Sequence, residues 1–152
     1  LSVNGESVRT RPIRGYVKLR RRWRAGDHIE LDLDMPVERI AAHPNVAEDA
    51  GRVGLQRGPI VYCLEGCDHE VDVRSIVLPD GEKLTPRFER NLLGGCTVLR
   101  GRAIAPSHAG WQGKLYRPAS ELRYRRIALR AIPYCLWDNR AAGSMAVFIP
   151  RM

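Results

Sequence analysis

The stretch Gly15-Tyr16-Val17-Lys18-Leu19-Arg20-Arg21-Arg22-Trp23-Arg24-Ala25-Gly26-Asp27-His28-Ile29-Glu30-Leu31-Asp32-Leu33-Asp34-Met35 decides the fold class. Val17 and Leu19, then Ile29, Leu31, Leu33 and Met35, alternate with Lys18, Arg20 and Arg22 and with Glu30, Asp32 and Asp34. A period of two sends successive side chains to opposite faces of a strand, so the stretch predicts two strands with one wet face each. A two-residue loop sets Leu19 opposite Asp32. A three-residue loop Arg24-Ala25-Gly26, with Gly26 left-handed, pairs Leu19 with Leu31 and Val17 with Leu33 instead. It also sets Arg20 against Glu30 and Lys18 against Asp32, and it is the register expected.

The same period recurs on either side. Asn4-Gly5 between alternating residues predicts a first hairpin, because both turn residues tolerate positive φ. Further strands are expected at Arg39 to Ala42, Arg52 to Gln56, Ile60 to Glu65, Val71 to Leu78, Thr97 to Ala105, Leu122 to Ile132 and Ser144 to Ile149. Arg57-Gly58-Pro59 separates two of them, His43 to Gly51 holds room for one helical turn, and Ala105 to Ala119 is a long loop. About ten short strands without sustained helical periodicity predict an all-β, antiparallel β-sandwich, jelly-roll-like, with little helix. The whole chain is expected to be one β-sandwich region, with the composition shift near Gly66 to Glu70 as the only candidate seam.

The length of 152 residues suits one domain, and 44% hydrophobic with 28% charged residues is ordinary globular composition. The net charge of +8 permits acidic partners. Of the basic residues most are arginine, a skew that genomic base composition can produce unaided. The longest apolar run, Ile60 to Leu64, is far short of the ~18 residues a membrane helix needs, so no membrane partner is expected. The chain opens at Leu1 in mid-pattern, which suggests a segment of a longer protein, and the lack of a signal peptide in it favours the cytoplasm.

Several residue groups invite a chemical reading. Arg20 to Arg24 with Trp23 has the look of a nucleic-acid surface, but the expected pairing with Glu30 and Asp32 cancels its field, and no nucleic-acid partner is expected. Cys63, Cys67 and His69, with Cys96 or His108, offer soft ligands, yet the spacing is not that of a zinc site and no metal is expected. Asp32 and Asp34 lie ~7 Å apart along one strand face, but open carboxylates beside cations lack the raised pKa a general acid needs. Trp111, between Gly110 and Gly113 in the long loop, and Tyr116 are the candidate carbohydrate-binding residues, because rings on a loop can stack on a sugar face. Trp137 near Asn139 follows an apolar strand and suits packing.

Three groups of residues together resemble one family. They are Gly15-Tyr16-Val17 with Arg22-Trp23-Arg24-Ala25-Gly26-Asp27; Arg52-Val53-Gly54-Leu55-Gln56-Arg57-Gly58-Pro59-Ile60-Val61-Tyr62-Cys63-Leu64-Glu65; and Ile132-Pro133-Tyr134-Cys135-Leu136-Trp137-Asp138-Asn139-Arg140 with Met145-Ala146-Val147-Phe148-Ile149. In this order they resemble the C-terminal β-rich region of the beta-L-arabinofuranosidase family, glycoside hydrolase family 127. The resemblance implies a preceding (α/α)6 helical barrel that holds a glutamate acid, a cysteine nucleophile and a zinc ion. Zinc is therefore expected only in that missing catalytic domain. Glu65-Gly66-Cys67 repeats the family's Glu-x-Cys pattern without the adjacent cysteine pair that completes it, so no catalytic residue carries over, and Cys135 stands where the family is usually more aromatic.

The expectation is a noncatalytic structural region that supports the catalytic helical barrel, with a homodimer and a plant-type glycan as further partners. Two alternatives stay open: a carbohydrate-binding module on the loop aromatics, and a free-standing β protein-interaction domain.

Overall fold

The computed structural model describes residues 1–152 and divides them into two compact units, Leu1–Met35 and Pro36–Met152. The composition shift near Gly66 corresponds to a 3-10 turn, Gly66–Asp68, inside the second unit. The fold is all-β and antiparallel, and no helix is long and apolar enough to cross a membrane.

In the first unit β1 (Ser2–Val3) pairs with β2 (Glu6–Ser7), and Asn4 and Gly5 turn between them at φ 53° and 80°, as their side chains permit. The other edge of β1 takes β3 (Ile29–Glu30), with Val3 opposite Ile29. This corrects the expected hairpin. Residues 17–22 form no strand, and the pairings of Leu19 with Leu31 and of Arg20 with Glu30 do not occur.

The reason is local. The Asn4 amide oxygen accepts from the His28 N–H at 2.7 Å, and its Nδ2 donates to Asp27 Oδ1 at 2.9 Å, so β1 claims the backbone edge that the register argument gave to residues 17–22. The turn itself is present: the Asp27 N–H donates to the Arg24 carbonyl at 3.1 Å, with Gly26 at φ 88°. Ile29, Leu31 and Leu33 are exposed, and Val3 is the only buried residue of the unit.

The second unit is one eight-stranded sheet. Its strands are β4 (Val37–Ile40), β5 (Arg52–Arg57), β6 (Ile60–Glu65), β7 (Thr85–Glu89), β8 (Cys96–Pro106), β9 (Tyr124–Pro133), β10 (Met145–Ala146) and β11 (Ile149–Pro150). The order is β11-β5-β6-β9-β8-β7, with β10 joined to β6 and β4 to β5. Arg57 opposes Ile60, so Gly58-Pro59 is a two-residue hairpin loop, and Gly58 takes the positive φ of 56° that its first position requires.

Period-two alternation places Val53 and Leu55, Tyr62 and Leu64, Leu99 and Ala103, and Leu129 and Ala131 in one core. Cys63, Cys96, Val98 and Ile132 form a second apolar cluster, covered by Leu92, Leu93, Leu136, Met145 and Val147. Tyr62, Cys63 and Leu64 are buried in succession, Cys63 in the second cluster and its neighbours in the first, which explains why the apolar run does not alternate there, while Val61 near its start is exposed.

Two further differences have physical causes. Val71 to Leu78 is not a strand: Asp72 caps a 3-10 turn at Val73–Ser75 by accepting from the Arg74 N–H at 3.0 Å, and Val73, Ile76 and Leu78 reach the core from that irregular segment. β7 escapes a pattern search because it is an edge strand with most side chains in water and a proline at position 86.

Candidate functional site

The densest chemistry lies where β6 ends. Glu65 is 4% exposed and is the only buried charged residue. Its Oε1 accepts the Asp138 N–H at 3.0 Å, and its Oε2 is held by the Arg140 guanidinium. Asp68, three residues on, receives Arg140 at 2.6 Å on one oxygen and Arg130 at 2.9 Å on the other. Arg130 also pairs with Glu89, which takes Arg100 at 2.7 Å. The result is a continuous chain of six charges across β6, β9, β7 and β8 and the segment after Trp137.

Its electrostatics follow from that geometry. Burial pushes the Asp68 carboxyl up, but hydrogen bonds and charge from Arg140 and Arg130 outweigh it and hold the group below the ordinary carboxylate value. The Arg140 guanidinium is held more firmly protonated than usual, first by its hydrogen bonds to Asp68. His69 closes the cluster: Nδ1 lies 2.8 Å from the Glu65 carbonyl oxygen and Nε2 lies 3.4 Å from the Arg130 N–H, an arrangement that suits the neutral ring protonated on Nδ1.

Glu65, Cys67 and Asp68 bring three possible metal-ligand atoms within 4.8 Å of one another. They do not fit a zinc ion. Both carboxylates are already satisfied by guanidinium groups that a cation would have to displace, and burial raises the Cys67 thiol away from the thiolate that zinc requires. Cys63 and Cys96 belong to the second apolar cluster, where burial pushes the Cys63 thiol up to about 12. The five soft-ligand candidates of the sequence thus have divided roles, and Cys67 Sγ donates to Glu65 Oε2 at 3.7 Å.

The loop aromatics are unequal. Trp111 is partly buried; its Nε1 donates to the Ser107 carbonyl at 3.2 Å, and Arg117 lies over its ring at 5.4 Å. Tyr116 is 90% exposed and Leu115 beside it is 84% exposed. Asp32 and Asp34 lie outside any strand and are exposed. Arg21 sits over Trp23 at 5.1 Å and pairs with Asp27 at 3.8 Å, whereas the strand pairing of Arg20 with Glu30 expected to cancel the field of the basic stretch is absent, because Glu30 pairs with Ser2 instead. Asn139 donates to the Leu136 and Trp137 carbonyls, which makes it a turn residue.

The arginines that organise the Glu65 cluster were not singled out by sequence reasoning. Arg140 and Glu65 are 75 residues apart, and no local spacing connects them.

A glycosidase needs a proton donor of raised pKa facing a second carboxyl group across the scissile bond. Here the carboxyls of Asp68 and Glu89 are instead held below the ordinary value by their arginines, and the arrangement defines an all-β domain braced by a partly buried ion network. Residues 37–150 match the family model described as the glycoside hydrolase family 127 C-terminal domain, and residues 1–35 match the GH127 beta-L-arabinofuranosidase middle domain. This chain belongs to glycoside hydrolase family 127.

It is 37% identical over 154 aligned residues to the non-reducing end beta-L-arabinofuranosidase of Bifidobacterium longum subsp. longum, covering 97% of this chain and 23% of that enzyme. The GH127 beta-L-arabinofuranosidase Ara127N-Se of Geobacillus stearothermophilus T6 superposes with TM-score 0.88 at 44% identity, over 99% of this chain and 24% of that one. A second GH127 beta-arabinofuranosidase gives TM-score 0.85 at 35% identity, over 99% of this chain and 23% of that one. The chain spans about a quarter of the length of the relatives it matches.

Proposed function

We propose that this chain is the noncatalytic β region of a glycoside hydrolase that releases L-arabinofuranose. Residues 1–35 supply strands to a middle-domain sheet, and residues 36–152 form a structural domain that stabilises the catalytic helical barrel and the oligomer. The observation that carries the reading is the uncovered apolar surface of the first unit. Ile13, Tyr16, Ile29, Leu31 and Leu33 are each at least half exposed, within a unit that buries only Val3. Covering such side chains stabilises a protein by about 25 cal/mol per Å² of apolar surface removed from water.

The test is made in the complete protein. Leu31→Asp combined with Leu33→Asp is expected to lower the thermal midpoint by several degrees while turnover per folded molecule stays unchanged. An unaltered midpoint overturns the reading. Residues 1–152 alone, assayed on a chromogenic arabinofuranoside with zinc and reductant, are expected to show no turnover. Hydrolysis that disappears in Cys67→Ala would make Glu65-Gly66-Cys67 a site after all.

A second reading, a carbohydrate-binding module on the loop aromatics, draws on the exposure of Tyr116. Trp111 contributes less to it, since Arg117 already occupies its ring.

A further inference from the structure

We propose that the cleft between the segment Gly66–Ser75 and the start of the loop after β8 is a glycan-binding site that takes the hydroxyl-rich end of a neutral arabinofuranose-containing chain. The identity of the sugar rests on the function proposed above; the site rests on its own geometry. The cleft has a volume of about 740 Å³ and is lined by Glu70, Val71, Pro106, His108, Arg125 and Ser144, among others.

Two of its charged groups, Glu70 and Arg125, are free in a way that their neighbours are not. Glu65 and Asp68 are committed to Arg140 and Arg130, and Asp72 is held by Arg74 at 3.0 Å. Glu70, between them in sequence, is 92% exposed and faces Arg125 at a loose 3.9 Å, with Arg125 itself 47% exposed. An ion pair so open to water contributes little to stability, so its two members can exchange each other for a ligand at small cost.

The chemistry of the exchange selects the ligand. A carboxylate only accepts hydrogen bonds and a guanidinium only donates them, whereas each sugar hydroxyl does both. Two neighbouring hydroxyls can therefore bridge Glu70 and Arg125, and exposed His108 adds a ring nitrogen to the same rim. Two carboxylates, Glu70 and Asp72, line the cleft beside the one cation Arg125, so an anionic ligand such as a phosphate or a uronate is disfavoured. Val71 and Pro106 offer apolar surface to the C–H side of a furanose. Without an aromatic platform in the lining, the affinity is expected in the millimolar range.

The probes are methyl β-L-arabinofuranoside and, as an unrelated neutral glycan, cellotetraose, each titrated into isotope-labelled chain 1–152 by NMR. The arabinofuranoside is expected to shift the amide signals of Glu70, Val71, His108 and Arg125. Glu70→Gln and Arg125→Ala are each expected to weaken binding at least tenfold, while Tyr116→Ala leaves it unchanged. Shifts that survive Arg125→Ala, or that vanish only in Tyr116→Ala, overturn the site. Cleft shifts with cellotetraose and none with the arabinofuranoside overturn the sugar assignment. Silence with both probes overturns the site itself, whatever the thermal-midpoint test on Leu31 and Leu33 has shown.

Discussion

Residues 1–35 and residues 36–152 carry the same sequence signal and reach different ends. In the first unit Ile29, Leu31 and Leu33 alternate with acidic residues and remain in water. In the second, Val53 with Leu55 and Leu129 with Ala131 alternate in the same way and are buried. Alternation assigns a side chain to a face of a strand; it does not provide a layer to cover that face. The second unit has that layer, because its long strands fold back on one another and Val73, Ile76 and Leu78 are added from below. The first unit, with three two-residue strands, does not.

The contrast can be broken by substitution. Leu99→Ala in the second core is expected to cost about 2–5 kcal/mol by urea denaturation of chain 1–152, whereas Leu31→Ala should stay within about 0.5 kcal/mol. Equal losses would show that the two units bury their leucines alike.

Removing Arg140 probes the other source of stability in the second unit. Arg140→Ala leaves Glu65 and Asp68 without their shared cation and is expected to cost about 3 kcal/mol in the same assay, while Arg74→Ala, on an exposed pair, should leave the midpoint nearly unchanged.

The same network sets an acid limit. The carboxyl of Asp68 is held below its ordinary value in the fold, so its contribution is fully present above the ordinary value near pH 4 and is lost as pH falls through the lowered one. Denaturation midpoints measured between pH 6 and pH 2 should fall most steeply at the acid end, and Arg140→Ala should flatten that slope. A more local effect belongs to the first unit: Gly26→Val, at φ 88°, should cost about 1–2 kcal/mol through backbone strain, and Ala25→Ser should be neutral. Limited proteolysis of residues 1–35 reads that change without requiring global unfolding.

What was legible in the sequence follows from the range of the forces involved. β5, β6, β8 and β9 were visible within a residue or two because their faces are set by neighbours two positions away. The Asn4-Gly5 and Gly26 turns were visible because positive φ restricts residue type. The partner of Ile29 was not, because a short-range argument cannot weigh Lys18 to Arg22 against Ser2-Val3, more than twenty residues away, and the Asn4 side chain that decides the matter is itself polar and exposed. The ion network was invisible for a similar reason. Glu65 and Asp68 look like any surface acids until Arg130 and Arg140 are brought beside them. His69 and Cys67 were noticed as ligands when their neighbours make them part of that brace.

The distance that hid the network from the sequence also governs when it can form. Arg140 reaches Glu65 across 75 residues of chain and Asp68 across 72, and Ile149 pairs with Val53. Closures of this length place the second unit among slow, non-local folders. At synthesis rates of about 5–20 residues per second, the acids leave the ribosome roughly 4–15 s before the arginine that neutralises them. In that interval water is the better partner for the Glu65 carboxylate, and Asp68 at the turn has only Arg130, made shortly before Arg140, to draw it inward. Arg140 thus acts as a latch in time as well as in space: the chain around Glu65 stays open until the residues that must lie over it have been made.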